Sequence, residues 1–531
     1  MKKINSRKKQ WIERTVANDR SYKRILYNRF FIFALFVLLQ LIGSAVLLYF
    51  LVYNPSPLGF ILQLSIFVLE IVFLLYLINK HERPSTKISW IIVILLAPVF
   101  GVPMYLMNGG KRPVHRMDNK IKKAQTEIDD KLQRRYGSIQ IKQPASRMEG
   151  TSYYLETVAK YPAYYHGDMV YYKSGEDAFL DILNELKQAK AYILIEYFII
   201  AHGKMWNEIL KILLEKAMQG VKIRIIYDDF GCMVTLPPDY ERYLESLHEN
   251  IKCMTFNSIV PVFAVRMNNR DHRKILVIDG KVAFTGGFNL ADEYINEKVR
   301  FGYWKDTGLK ITGNSVRSFV QMFFYLWNAF RKDKEDILEY ILPQEQLEQT
   351  DYCIQPYDDS PLDSKSTGEA VYLDMINQAT SYVWIFTPYL ILDDMMRMAL
   401  CQASLRGVDV RIVTPAIPDK KTVFRLTRAN YSVLWKAGVK IYEYTPGFIH
   451  AKSMLCDGKC GVVGTINLDY RSLYHHFENA VYFTHPKTLE SLKKDCEETF
   501  LTSKLCVPEN TKRGFFGRIF DAVLRVFETL L

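Results

Sequence analysis

Hydrophobic residues are distributed differently in the two parts of the chain. Up to about residue 107 they form three long runs with almost no charge, at 30–53, 59–79 and 88–107. A helix needs about 20 apolar residues to cross a bilayer, so this pattern predicts two or three membrane spans, the last weakened by two prolines and a glycine. Beyond residue 150, short apolar runs alternate with amphipathic stretches, which indicates an α/β fold.

The strand and helix signals of this second part occur twice in the same order. The apolar run AYILIEYFII at 191–200 matches SYVWIFTPYL at 381–390, and each follows an amphipathic stretch. HRKILVIDGKVAFTGGFNL at 272–290 matches HAKSMLCDGKCGVVGTINL at 450–468, and in both an Asp-Gly pair between apolar runs predicts a hairpin. We therefore expect an α/β fold of two similar halves with mixed sheets, packed about a pseudo-twofold axis.

Charge and cysteine content narrow the possible partners. Residues 1–29 carry ten Lys or Arg against two acidic residues, which accounts for much of the net charge of +12. Next to an apolar span, such a tail is a positive-inside signal facing anionic lipid, so no nucleic-acid partner is expected. The eight cysteines include no CxxC pair, so neither a disulfide framework nor a zinc site is expected.

Each of the two matching hairpin segments carries the pattern H-x-K-x4-D followed by G-G/T-x-N. Residues two apart on a strand share a face, so the His and Lys of each copy point into one pocket. Two lysines and two asparagines can donate to the non-bridging oxygens of a phosphodiester without a metal. One imidazole can attack phosphorus while the other protonates the departing alkoxide. The candidate residues are His272, Lys274, Asp279, Gly287 and Asn289 in the first copy, and His450, Lys452, Asp457, Thr465 and Asn467 in the second.

Four carboxylates have candidate supporting roles. A neutral histidine must have its second nitrogen held by an acceptor, and we predict Glu478 for His450 and Asp306 for His272. The motif aspartates lie at turns, where Asp-Gly is common for backbone reasons alone. A structural role for them is therefore as well supported as a chemical one.

Two other segments have both a structural and a functional interpretation. The adjacent His475 and His476 cannot face each other, so we expect them at the surface or behind the site. The C-terminal stretch 514–531 has apolar residues at helical spacing, which suits either packing on the catalytic body or an interfacial helix in the lipid headgroups. We favour the interfacial helix.

The duplicated HRKILVID…GGFN and HAKSMLCD…GTIN resemble the phospholipase D superfamily. WIIVILLAPVFGVPMYLMNGG, NLDYRSLYHHFEN and the Leu-rich C terminus resemble the bacterial cardiolipin synthases within it. This resemblance implies phosphatidyl transfer from one phosphatidylglycerol to another, with release of glycerol and without metal or cofactor. It implies a phosphatidyl-histidine at His272, with His450 as acid and base. A hydrolytic phospholipase D, or another phosphatidyltransferase of the superfamily, is the alternative, because the motifs do not distinguish the acceptor.

The resemblance also implies a multi-pass protein of the bacterial cell membrane, with phosphatidylglycerol and cardiolipin as its lipid partners. The side of the membrane on which the catalytic body lies depends on whether the third run crosses, and the oligomeric state is open. The expected organisation is a basic cytoplasmic tail at 1–29, a membrane region at 30–108, a charged helical connector at 109–150, a first phospholipase D-like half at 151–341, a second at 342–510, and an amphipathic helix at 511–531.

Overall fold

The computed structural model divides the chain into two units. An N-terminal unit comprises residues 1–115 with the short pieces 260–267 and 525–529, and the main unit comprises the remainder. The description covers residues 42, 43, 46 and 49, residues 56–526 and residue 528, except for 81–82, 97–100, 103–104, 107–113, 137–146, 259–267, 344–349, 364 and 508–513.

The N-terminal unit contains one described helix long enough to cross a membrane, judged by length and composition. This helix, α1 (Pro57–Asn79), begins where the Ser56 hydroxyl accepts the Gly59 N–H, and it agrees with the predicted run at 59–79. The next helix, α2 (Pro84–Leu96), has 13 residues and is about 20 Å long, less than the hydrocarbon core of about 30 Å. Within the predicted run at 88–107, helix α2 is thus described only up to Leu96, and much of the remainder of the run lies outside the described residues. Most of the run at 30–53 lies outside them.

The first half of the main unit is built on a seven-stranded mixed sheet. Its strand order is β1-β9-β7-β6-β2-β3-β4, with β2, β3 and β4 parallel. The strands of this half are β1 (Asp168–Tyr172), β2 (Tyr192–Tyr197), β3 (Lys222–Asp228), β4 (Ile251–Phe256), β5 (Arg270–Asp271), β6 (Lys274–Ile278), β7 (Val282–Gly286), β8 (Tyr303–Lys305) and β9 (Gly308–Thr312), of which β5 and β8 lie outside this sheet.

The second half repeats this topology. Its sheet has the order β10-β17-β16-β15-β11-β12-β13-β18, so each strand of the first sheet has an equivalent, and only β18 is added at the edge. The predicted duplication into two mixed α/β halves is confirmed. The strands are β10 (Ile354–Asp359), β11 (Tyr382–Phe386), β12 (Asp409–Pro415), β13 (Lys440–Tyr444), β14 (Gly447–Ile449), β15 (Ser453–Cys456), β16 (Cys460–Gly464), β17 (His476–Phe483) and β18 (Ser503–Leu505).

Helices cover the sheets and supply the parallel crossovers. The helix between β2 and β3 buries residues at helical spacing, including Trp206, and ends before Gly220, whose φ of 91° favours glycine. Its counterpart between β11 and β12 ends at Leu405, two residues before Gly407 with φ 94°. The helices are α3 (His115–Tyr136), α4 (Arg147–Thr157), α5 (Gly175–Gln188), α6 (Lys204–Met218), α7 (Asp229–Cys232), α8 (Tyr240–Glu245), α9 (Val316–Phe330), α10 (Thr367–Gln378), α11 (Asp394–Leu405), α12 (Lys421–Lys436), α13 (Tyr470–Tyr474), α14 (Pro486–Leu501) and α15 (Phe515–Val526).

The charged connector region is more than a surface link. Helix α3 buries one face, and its Asp129 accepts hydrogen bonds from Gln321 and Tyr325 of α9. Helix α4 includes the predicted start of the first half at residue 151, yet it packs on the second half, where Thr151 hydrogen-bonds Asp374. A helix that precedes β1 in the sequence therefore packs on the second half.

Two short parallel strand pairs join the halves. β5 of the first half pairs with the start of β17, placing Arg270 opposite His476 and Asp271 opposite Phe477. β14 of the second half pairs with β8, placing Ile449 opposite Lys305. In each pair, the residue that follows the paired segment is a motif histidine on one strand and a carboxylate on the other. These two strand pairs therefore position the candidate site.

Candidate active site

The first centre forms where β5 meets β17. The backbone N–H of His272 donates to Phe477 O at 2.9 Å, which fixes the histidine next to the following residue of β17, Glu478. His272 Nδ1 then lies 2.9 Å from Oε1 and 2.8 Å from Oε2 of Glu478. Glu478 is fully buried and also accepts from the Thr465 hydroxyl, so its carboxylate is held from two sides.

The second centre repeats this arrangement with the halves exchanged. The backbone N–H of His450 donates to Lys305 O at 2.7 Å, and His450 Nδ1 lies 2.7 Å from Asp306 Oδ2. Asp306 is fully buried, and its other oxygen accepts the Thr307 N–H at 2.9 Å. Burial alone would raise the pKa of Asp306, but His450 and Lys452 hold it below its usual value.

The predicted assignment of carboxylates to histidines is wrong: the pairs are crossed between the halves. The prediction paired Glu478 with His450, which is nearer in sequence. Instead, Glu478 holds His272, which is 206 residues away, and Asp306 holds His450. The physical reason is the register of the two strand pairs. The pairing of β5 with β17 places His272 beside Glu478, and the pairing of β14 with β8 places His450 beside Asp306.

Both imidazoles are arranged to present a lone pair. An ionised carboxylate can only accept, so the hydrogen bond requires the proton on Nδ1 and leaves Nε2 unprotonated. Burial lowers the pKa of His272 well below its ordinary value, with Lys274, Lys452 and His450 contributing in the same direction. Burial and Lys452 lower the pKa of His450 to about 4. At neutral pH both rings are therefore neutral in the free protein.

The motif lysines are fully buried beside the histidines, as their spacing predicts. Lys274 Nζ donates to His272 O at 2.6 Å, and Lys452 Nζ donates to His450 O. Burial lowers the pKa of Lys274 to about 7 and that of Lys452 to about 8. Since an ammonium has three donors, each lysine keeps donors for an anion, whose binding would favour the charged forms.

The motif aspartates lie at the far ends of their strands from the histidines, and of the two roles that the sequence left open for them, their contacts favour the structural one. Asp279 has φ 52° and follows β6, and its carboxylate accepts the N–H groups of residues 190, 191 and 192 at 2.7–2.9 Å. Asp457 repeats this with φ 53°, accepting N–H groups of residues 380–382 and the Thr380 hydroxyl. Both carboxylates therefore anchor a hairpin turn to the start of the neighbouring strand.

The four predicted substrate-binding positions have different surroundings. Asn289 is already engaged, accepting the Ile199 N–H through Oδ1 and donating to the Tyr294 hydroxyl. Asn467 is buried, and its Oδ1 has no hydrogen-bond partner among the described residues. Gly287 permits close packing, because a Cβ there would lie 2.0 Å from Asp306 Oδ1. In the second half, the equivalent space is filled by Thr465, which contacts Glu478.

Two further residues near the site, Asn479 and Arg273, were not predicted from the sequence. Asn479 accepts the Lys274 N–H and donates to Thr285, tying the two halves together behind the motif. Arg273 points away from the pocket and pairs with Glu196 and, across the halves, with Asp358. Arg273 lies between His272 and Lys274 in the sequence, and alternation of side chains along an extended chain could have indicated that it points away from them.

The position of His476 agrees with the second of its two expected places, behind the site rather than at the surface. Its ring centroid lies 5.5 Å from that of His272, and its Nδ1 lies 3.6 Å from Glu478 Oε1. His272, His476 and Glu478 are thus grouped closely enough to hold a metal ion.

Comparison with known proteins agrees with the fold and the motifs. The family described as "Cardiolipin synthase, PLD-like domain" matches residues 182–300 and 372–500, and "Phospholipase_D-nuclease N-terminal" matches residues 68–110. Two separate matches to the first family define a duplicated phospholipase D-like protein.

Two relatives extend over most of the chain. An uncharacterized protein of Streptococcus mutans is 44% identical over 431 residues, covering 81% of this chain and 93% of the relative. A cardiolipin synthase of Alkalihalophilus pseudofirmus is 31% identical over 477 residues, covering 88% of this chain and 93% of the relative. The chain belongs to the cardiolipin synthase family of phospholipase D-like proteins.

A solved structure supports the fold independently. The phosphatidylserine synthase of Haemophilus influenzae superposes with a TM-score of 0.55 at 13% identity, covering 71% of this chain and 98% of that one. At this identity the likeness concerns the fold alone.

Proposed function

We propose that the protein is a cardiolipin synthase that transfers a phosphatidyl group from one phosphatidylglycerol to a second, with release of glycerol. The observation that carries the proposal is the pair of crossed centres: in each, a carboxylate of the other half holds Nδ1 of a buried histidine, and a buried lysine donates to that histidine's backbone oxygen. The similarity to relatives named cardiolipin synthase supports the choice of substrate.

In the first step, Nε2 of His272 attacks the phosphorus of phosphatidylglycerol. The bond between phosphorus and the glycerol oxygen breaks, its electron pair stays on that oxygen, and His450 delivers a proton from Nε2 to release glycerol. The anionic phosphodiester favours protonation of His450, whose pKa is about 4 in the free protein. The product is a phosphatidyl-histidine whose Nδ1–H remains bonded to Glu478.

In the second step, the roles at His450 reverse. Its Nε2 takes the proton from a hydroxyl of the second phosphatidylglycerol, and the oxygen attacks phosphorus. The phosphorus–nitrogen bond breaks and its electron pair returns to His272. Two phosphatidylglycerols become one cardiolipin and one glycerol, with no net change in protons or charge.

The buried lysines and carboxylates have separate tasks in this scheme. Lys274 and Lys452 neutralise the phosphodiester oxygens where charge builds up, in a water-poor pocket that strengthens the interaction. Glu478 and Asp306 hold the tautomer and orientation of the rings. Asp279 and Asp457 act only through the backbone they anchor.

Attachment to the bacterial cell membrane follows from the lipid substrates, and we propose that it is multi-pass. Helix α1 supplies one crossing by length and composition. We propose that the C-terminal helix α15 has both of its predicted roles, packing and contact with the lipid headgroups. Arg425 pairs with Asp521 and donates to Gly517 O, so the helix is docked on the second half, while Phe516 and Phe520 remain exposed.

The proposal is tested by giving the purified protein only phosphatidylglycerol in mixed micelles and analysing the lipids by mass spectrometry. We expect cardiolipin and glycerol in equal amounts. Because the reaction exchanges one phosphodiester for another, its equilibrium lies near unity, and added glycerol should convert cardiolipin back to phosphatidylglycerol. The matched control is His272→Ala, which should form neither product. Dominant phosphatidic acid, unaffected by glycerol, would identify a hydrolase instead.

A further inference from the structure

A third imidazole beside the first centre takes no part in the proposed reaction. His476 is the first residue of β17, and its side chain is 11% exposed. Its Nδ1 is buried and has no hydrogen-bond partner among the described residues, and Glu478 Oε1 lies 3.6 Å from it. Phe198 stacks on the His476 ring at a centroid distance of 6.5 Å, which restricts the ring.

An unpartnered imidazole nitrogen beside a carboxylate is an unusual arrangement in a buried site. If Nδ1 carries the proton, its donor is unused, and if it does not, its lone pair faces the anionic Glu478. A cation between the two groups would remove either problem. The ligand atoms of His476, Glu478 and His272 all lie within 4.8 Å of one another.

We propose that His272, His476 and Glu478 form a binding site for a divalent transition-metal ion of the Zn²⁺ type, which inhibits the enzyme. Two imidazoles and one carboxylate, with a fourth position left open, are a donor set that Zn²⁺ binds in proteins. Glu478 Oε2 lies 2.8 Å from His272 Nδ1 and Glu478 Oε1 lies 3.6 Å from His476 Nδ1, both within the about 4 Å that two ligands each about 2 Å from one ion can span, and a small rotation of the imidazoles would bring all three groups onto one ion.

Inhibition follows from what the ion displaces. It takes the place of the proton on His272 Nδ1, so one proton is released for each ion bound. The ion draws electron density from the His272 ring, and Glu478 no longer accepts the hydrogen bond from that ring. Both effects make His272 Nε2 a weaker nucleophile. This consequence rests on the proposed function, whereas the binding itself does not. The Lys274 ammonium opposes a cation here, so we expect binding that a chelator reverses.

The second centre provides an internal comparison. Its carboxylate, Asp306, corresponds to Glu478, and the residue two positions earlier is Trp304, where the first centre has His476. The Trp304 ring lies beside His450 at a centroid distance of 5.3 Å but offers no metal ligand. The site is therefore specific to the first centre.

The binding test uses the full-length protein after EDTA treatment and desalting, with Co²⁺ as a spectroscopic probe and Zn²⁺ measured against a chromophoric chelator. The wild type should bind one ion per chain, and Co²⁺ should give the intense visible bands of a four-coordinate site. His476→Phe keeps the ring and removes the nitrogen, and we expect at least tenfold weaker binding. His476→Asn is a second variant for the case in which the bulkier ring disturbs folding, which circular dichroism would reveal.

The matched control is His248→Asn, which removes a histidine from the turn before β4, at the opposite end of the sheet. It should bind Zn²⁺ like the wild type. Zinc should inhibit the wild type and the control at the same concentration, and His476→Phe only at a concentration at least tenfold higher, each relative to its own activity without metal. Equal zinc affinity in the wild type and both His476 variants, or activation by zinc, would overturn the proposal. The binding result stands even if the lipid product is not cardiolipin.

Discussion

Replacing Glu478 with glutamine should separate the two chemical steps, because the crossed pairing assigns this carboxylate to the proposed nucleophile. Glu478 Oε2 accepts from both the Thr465 hydroxyl and His272 Nδ1. In Glu478→Gln, one of the two oxygens that lie 2.8 and 2.9 Å from His272 Nδ1 becomes an NH₂ group, and the ring loses its anionic partner. An NH₂ group can only donate, so it favours the tautomer with the proton on Nε2, where attack on phosphorus is blocked.

The size of the loss follows from these contacts. A hydrogen bond to a charged partner contributes about 1.5–3 kcal/mol, which corresponds to roughly 10–150-fold in rate. Stabilising the wrong tautomer adds to this, and the analogous carboxylate-to-amide change in a serine protease triad costs about 10⁴-fold. We therefore expect phosphatidyl transfer to fall by between about 10² and 10⁴-fold. The matched variant Asp306→Asn should lose a similar amount, since it disturbs His450.

The two variants are distinguished by the leaving group. A phosphatidyl ester of p-nitrophenol releases a stable anion that needs no proton, so its departure does not depend on His450. In stopped-flow absorbance, Asp306→Asn should keep a burst of nitrophenolate equal to the enzyme concentration, and Glu478→Gln should lose it. If the burst is lost in Asp306→Asn and kept in Glu478→Gln, His450 is the nucleophile. Equal behaviour of the two variants would refute the assignment of one carboxylate to each step.

Four further outcomes are expected. Asp279→Asn should lower the free energy of unfolding by about 2–4 kcal/mol, because a carboxylate that accepts three N–H groups is lost. The folded fraction should keep its activity, and a catalytic defect without a loss of stability would contradict this. Activity should persist in EDTA, and loss that a divalent ion restores would rule out the metal-free scheme. In the folded protein the pKa of His450 is about 4, below its value of about 6.5 in the unfolded chain. Between these two pH values the unfolded chain binds more protons, so the free energy of unfolding falls as the pH drops. Melting curves of His450→Asn should show on the order of 3 kcal/mol less acid destabilisation over that range, and an unchanged pH profile would disprove it. Exchanging exposed Phe515 and Phe516 for serine should weaken binding to anionic vesicles without altering burst kinetics on a soluble substrate; unchanged vesicle binding would assign α15 to packing alone.

The duplication and the position of the histidines and lysines could be predicted because their signals are local. Matching apolar runs specify equivalent strands, and alternation along a strand places His272 and Lys274 on one face. The crossed pairing could not be predicted in this way. It depends on strand pairs of two and three residues between segments far apart in the chain, and nothing within either segment specifies its partner.

The remaining differences have similar physical causes. The sequence left Asp279 with two possible roles, since an Asp-Gly turn looks the same whether its carboxylate binds substrate or backbone. For the third apolar run, composition suggested a span, and the described helix α2 covers only its first part, up to Leu96.

The crossed arrangement also explains why two nearly symmetric centres can do different work. Each histidine depends on a carboxylate from the other half, so neither half contains a complete centre. The symmetry is broken at equivalent positions: Glu478 with Thr465 and His476 surrounds His272, whereas Asp306 with Gly287 and Trp304 surrounds His450. A duplicated fold thus supplies two imidazoles, each held by a carboxylate of the other half, and the differences around them are consistent with the separate roles that we propose for His272 and His450.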